Sequence, residues 1–87
     1  MASYYKILGT ETSCNTTNNT FGNNVLVRLW NTDTVAALIT GKTGSNTNFT
    51  VTLGASQEIV LEKATTDTLT SNNGATAVKG VQVAYRN

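Results

Sequence analysis

Apolar residues recur at every second position along most of the chain. Phe49, Val51 and Leu53 alternate with Thr50 and Thr52, the period of a strand with one buried and one wet face. Across residues 57–63, Ile59 and Leu61 lie on the inward side and Glu58, Val60 and Glu62 on the outward side. Gly54-Ala55-Ser56 separates the two runs and has the length of a loop joining antiparallel neighbours, so the spacing predicts a hairpin. Val25, Val27 and Leu29 alternate with Leu26, Arg28 and Trp30, a strand apolar on nearly both faces. Asn31-Thr32-Asp33-Thr34 then supplies turn chemistry, because Asn and Asp side chains bond their own backbone, and residues 35–40 read as the return strand. Residues 41–47 form a polar loop at the tip of the next hairpin. A closing strand covers 78–85, with Val81, Val83 and Tyr85 on one face and Gly80 marking a bulge. Residues 4–8 open the fold, and 68–70 add a short strand before the turn at Asn72-Asn73-Gly74.

No segment carries a helical stripe, and the abundant Thr and Val favour strands. The pattern predicts one all-β domain over residues 1–87. Its expected form is a small antiparallel β-sandwich of about six to seven strands, immunoglobulin-like or jelly-roll-like, or a compact β-barrel. Residues 9–24 do not fit it. They are a long Asn/Thr-rich loop or arm, with Phe21 as an anchor point, and too long for an ordinary connection.

Thr and Asn supply 28 of the 87 residues, while charged residues are only 13% and the net charge is +1. That balance excludes a nucleic-acid binder, which needs clustered Lys and Arg to displace counterions. The longest apolar stretch, 35–39, is far short of the ~20 residues that cross a bilayer as a helix. The start of the chain has no signal-peptide pattern, so no membrane partner is expected and the product is expected to start as a soluble intracellular protein. Histidine is absent and Cys14 is the one cysteine, which removes the commonest base, the commonest nitrogen ligand and any internal disulfide.

Other chemistry falls away residue by residue. Gly41-Lys42-Thr43 lacks the earlier glycine and the following helix of a phosphate loop. Glu58 and Glu62 lie about 13 Å apart along one strand, too far for a catalytic pair, and read as charges that keep a strand from sticking. Asp33 and Asp67 sit in Thr-flanked turns, where capping explains them. The irregular spacing of the Thr-x-Thr pairs excludes a repeating flat solenoid face. The expectation is a protein that is not an enzyme and has no cofactor, metal or catalytic site.

Candidate interface residues are Tyr4, Tyr5, Phe21, Arg28 and Trp30. Trp beside Arg is a common interface pairing; alternatively that side of the strand is a second core face from which Arg28 snorkels out. A thin core without disulfides, with no proline to blunt its edges and little charge, favours a chain packed against copies of itself or a larger scaffold.

The runs Val25-Leu26-Val27-Arg28-Leu29-Trp30-Asn31-Thr32, Phe49 through Lys63, and Val78-Lys79-Gly80-Val81-Gln82-Val83-Ala84-Tyr85 resemble the small virion structural proteins of tailed bacteriophages, cyanophages in particular. The start, Met1-Ala2-Ser3-Tyr4-Tyr5-Lys6, is similar in style. The resemblance covers half to two thirds of the chain and rests on strand-turn-strand texture. It implies a non-enzymatic virion component, a capsid decoration or cement protein that binds the assembled head and stabilises it. Its partners would be the major capsid protein or another virion protein, and it would be a homo-oligomer. The alternative is an adhesin-like or carbohydrate-binding β-sandwich, including a tail or fibre accessory, with Trp30 and the tyrosines as sugar platforms.

Overall fold

Period-two alternation becomes eight strands in the computed structural model, which describes residues 4–86. They are β1 (Tyr4–Ile7), β2 (Thr12–Ser13), β3 (Leu26–Asn31), β4 (Ala37–Thr43), β5 (Asn46–Leu53), β6 (Glu58–Glu62), β7 (Thr68–Ser71) and β8 (Val78–Arg86). All pairings are antiparallel. One sheet has the order β1-β8-β3-β6, with β2 also on β8, and the other has the order β5-β4-β7. Their inner faces share one core of Val27, Leu29 and Val78 from the first sheet and Ala37, Ile39, Leu53 and Leu69 from the second. The smallest dimension of the molecule, 22 Å, is that of two sheets about 10 Å apart with their outer side chains. The fold is a β-sandwich.

The pairings are nested. β4 pairs with β5, β3 with β6 and β1 with β8. The chain just after β2 backs onto β7, where Asn19 bridges Leu69 and Asn15 O accepts from Ser71 N. This is one long antiparallel ribbon rolled up on itself, the pairing order of an eight-stranded jelly roll.

Rolling corrects two local expectations. β5 and β6 are not a hairpin: Phe49–Leu53 pairs with β4, Glu58–Glu62 pairs with β3, and residues 54–57 cross between sheets. Likewise the 32–36 turn sends the chain into the opposite sheet, so β4 does not return along β3. The β4–β5 hairpin is as expected, but its strands run further and leave only Gly44 and Ser45 at the tip.

Asn31 holds both crossings. Its side chain is fully buried and its Nδ2 donates to Val35 O at 2.9 Å, Leu53 O at 3.1 Å and Gly54 O at 3.3 Å. Its Oδ1 accepts from Asp33 N at 3.0 Å, and its backbone N donates to Gln57 O.

The 9–24 segment is ordered by its own subunit. Thr17 N bonds Asn15 Oδ1 and Phe21 N bonds Asn19 Oδ1, local turns that explain the Asn content. Gly22 and Asn23 both have positive φ, and Asn24 N closes the turn on Phe21 O. Phe21 itself has φ of 50°, a left-handed conformation that costs a side-chain-bearing residue about 1–2 kcal/mol. Burial of its ring offsets that. The ring lies over Gly80, where a Cβ would collide with it and with Leu29. Gly80 is thus a seat for Phe21; the β3–β8 register runs through it without a shift.

Asn31→Ala should lower unfolding free energy by about 2–4 kcal/mol, since it removes the shared donor of both crossings, with Leu53 O buried and Val35 O and Gly54 O partly so; urea unfolding measures it. Gly80→Ala and Phe21→Leu should each destabilise by about 1–3 kcal/mol. Their double variant should lose less than the sum, because the smaller ring relieves the collision.

Candidate interaction surface

Residues directly opposite in an antiparallel ladder share a face, so the registers of the five-stranded sheet map its outer side. One row reads Ile7, Val83, Leu26, Glu62; the next reads Val81, Arg28, Val60; a third reads Lys79, Trp30, Glu58. Val81 and Val83 are almost fully buried, yet neither belongs to the core between the sheets. Their neighbours on the outer face cover them. Val81 and Val83 share a side as expected, but it is this outer one, and the core side of β8 belongs to Val78 and Gly80. Tyr85 carries a side chain outside the described residues.

The centre of the face is Arg28. Its Nε donates to Glu58 Oε2, its Nη1 lies 3.6 Å from Glu11 Oε2, and its guanidinium carbon is 5.6 Å from the centroid of the Trp30 ring. Two carboxylates and an indole therefore hold the side chain down across the sheet. Around it Ile7 and Trp30 stay exposed, at 55% and 40%. A cavity of about 350 Å³ opens at one end, lined by Leu8, Val25, Leu26 and Val83 with Glu62 at its wall.

The opposite side of the sandwich is different. Thr50, Thr40 and Thr70 form one cross-strand row, and Leu38 faces Thr52. That face is mostly a hydroxylated sheet surface of the usual wet kind, with Leu38 as its exposed apolar residue.

Of the residues expected at an interface, Tyr5, Arg28 and Trp30 share the outer face of the five-stranded sheet. Phe21 does not: it is core, 2% exposed, and its ring is spent on Gly80. Tyr4 contributes backbone to β1, and its side chain lies outside the described residues. Ile7, Leu26 and Val60 are the members that sequence reading missed. The signal was present in β3, whose outward positions Leu26 and Trp30 are as apolar as its inward ones.

Several polar groups elsewhere are occupied structurally. Asp67 accepts from Thr43 Oγ1 and Asn48 Nδ2, tying the β4–β5 hairpin to the turn before β7, rather than capping its own backbone. Lys63 is buried, and its amine donates to the carbonyls of Ala64 and Thr65; burial pushes its pKa down, against the pull of Asp67. Cys14 is fully buried, and burial pushes its thiol up to about 12, which leaves no thiolate at neutral pH to act as nucleophile or ligand. No group of three or more His, Cys, Asp or Glu among the described residues could hold a metal ion.

No protein-family model, no curated protein and no solved structure matches this chain.

The buried thiol gives a pH signature. Between pH 9 and 12 the unfolded chain has lost the Cys14 proton while the folded chain keeps it, so stability falls as pH rises. At pH 10 the loss is about 1 kcal/mol. Lys63 acts in the opposite sense: below 10.5 the unfolded chain keeps its proton longer, so its contribution rises with pH. The difference between wild type and Cys14→Ala, measured by urea unfolding at pH 8 and pH 10, isolates the thiol. It should shrink by about 1 kcal/mol at the higher pH.

Proposed function

We propose that this chain is a non-enzymatic virion structural protein of the capsid decoration or cement type. It works by seating the outer face of its five-stranded sheet on the assembled shell. The observation that carries the reading is the exposure of Ile7 and Trp30 on one face, beside the notch around Leu26 that Asn24 and Glu62 also line. Exposed apolar side chains on either side of the Arg28–Glu58 pair fit a contact surface, in which aromatic and apolar groups alternate with paired charges. Arg28 at the centre pairs with Glu11 and Glu58, and Glu62 and Lys79 share the face, so the shell's matching patch is of mixed polarity rather than of one charge.

The pairing order adds support of a weaker kind. Jelly rolls serve in viral coats and in lectins alike, so the fold is compatible with a virion role without assigning it. The carbohydrate reading stands as the alternative: Arg28 lies against one face of Trp30, while Trp30 and Tyr5 both stay exposed.

The test is co-sedimentation with purified virus particles from cells that encode the chain. Protein should travel with intact particles, and Ile7→Ser with Trp30→Ser should weaken binding at least tenfold, in line with the weight of a buried Trp at an interface. Both side chains lie outside the core, so the variant should still melt cooperatively. Wild-type protein remaining at the top of the gradient would overturn the reading. Binding to a glycan surface that Trp30→Ser abolishes would replace it with the lectin alternative.

A further inference from the structure

The sandwich is open along one side. The core residues that stay only partly buried are Phe49 and Val51 on β5 and Ile59 and Leu61 on β6. These two strands end their respective sheets.

Hydrogen-bond parity identifies which backbone groups face out there. Leu38 N donates to Asn72 Oδ1 and Leu38 O accepts from Asn72 N, so Leu38 turns its backbone toward β7. Alternation then turns Ala37, Ile39 and Gly41 toward β5, where they meet Leu53, Val51 and Phe49. The N–H and C=O of Thr50 and Thr52 therefore point away from the sheet, and nothing among the described residues meets them. The ladder is regular from Phe49 to Leu53 and breaks at Asn48, where the register shifts. The open edge is one five-residue segment with Val51 at its middle.

The edges at β7 and β6 are managed. On β7 the outward N–H groups of Leu69 and Ser71 bond Asn19 O and Asn15 O. On β6, Asn31 N to Gln57 O and Lys63 N to Val25 O fix Glu58, Val60 and Glu62 as the outward residues. Pairing of β6 with its own copy about Val60 would set Glu58 against Glu62, like charge against like. β5 has neither cover, charge nor proline.

We infer that β5 is a homodimerisation edge, pairing antiparallel with β5 of a second copy across a two-fold axis at Val51. In that register Thr50 and Thr52 exchange their N–H and C=O groups with Thr52 and Thr50 of the second copy, four hydrogen bonds that satisfy every open group. On the inner face Phe49 meets Leu53 and Val51 meets Val51. On the outer face threonine meets threonine. Aromatic, branched and Thr–Thr neighbours are the favourable cross-strand pairs. The two three-stranded sheets become one of six, and the partly exposed Phe49 and Val51 are covered. This inference does not depend on the virion reading.

The test is sedimentation equilibrium of the full chain to about 1 mM, where even a weak pair assembles. Wild type should form a dimer. Thr50→Lys with Thr52→Lys, and separately Thr50→Glu with Thr52→Glu, should each raise the dimer dissociation constant at least tenfold. Both positions face solvent on the outer side, so circular dichroism should show both variants folded. Mixing the two should restore a mixed dimer, because each Lys then faces a Glu. Ile7→Ser with Trp30→Ser should leave the dimer unchanged. A wild-type monomer throughout, an oligomer indifferent to the charges, or charged variants that fail to pair on mixing would each overturn the proposal.

Discussion

A rolled ribbon has to be pinned where it folds over, and here Asn31 does the pinning. The two crossings between sheets, after β3 and after β5, meet at its carboxamide. At these corners Val35 O and Gly54 O lie outside the ladders, and Leu53 O takes a second donor beside its place opposite Ala37. A hydrophobic residue at this place would satisfy the alternation of β3 and remove those donors, at about 1–3 kcal/mol for each group left unsatisfied. One carboxamide supplies donors for both corners and an acceptor for the turn between them. The position of β4 opposite β3, and of β5 opposite β6, follows from that.

Once the ribbon is rolled, its edges are decided. The outer pair β1–β8 and the segment after β2 close one side, where the chain's own 15–19 stretch covers β7. The inner strands β5 and β6 close nothing beyond themselves. The Asn and Thr that looked like a flexible arm thus cap one edge, and Phe21 locks that cap onto the core over Gly80. The side far from the arm has no such segment, which is why its core residues remain half covered.

Strand positions were legible because the period of two is local: inward Phe49, Val51, Leu53, Ile59 and Leu61 lie where their spacing puts them. Partners were not legible. Gly54-Ala55-Ser56-Gln57 has the length of either a hairpin or a crossing, and Asn31, which decides between them, reads in sequence as an ordinary turn former. Phe21 was visible as an anchor, but its depth depends on the missing Cβ of Gly80, nearly sixty residues away. On the candidate surface, Arg28 and Trp30 stood out by residue type. Ile7 and Val60 could join them only through the registers of β1 and β6, which no local pattern specifies.

The apolar face and the open edge are related by geometry. A two-fold axis at Val51 runs perpendicular to the three-stranded sheet, because paired residues must keep to the same face. The two sheets of a sandwich lie roughly parallel, so the same axis is perpendicular to the five-stranded sheet as well. Both copies then turn their Ile7, Leu26 and Trp30 faces in one direction. A dimer built on the β5 edge would present two copies of the apolar face, side by side, to a single surface. The second contact is then made within an already tethered pair, and avidity can exceed the affinity of either face by about 10²–10⁴-fold with no new residue involved. A threonine-lined edge of modest strength is sufficient for that purpose, since the surface it docks on would hold the pair together.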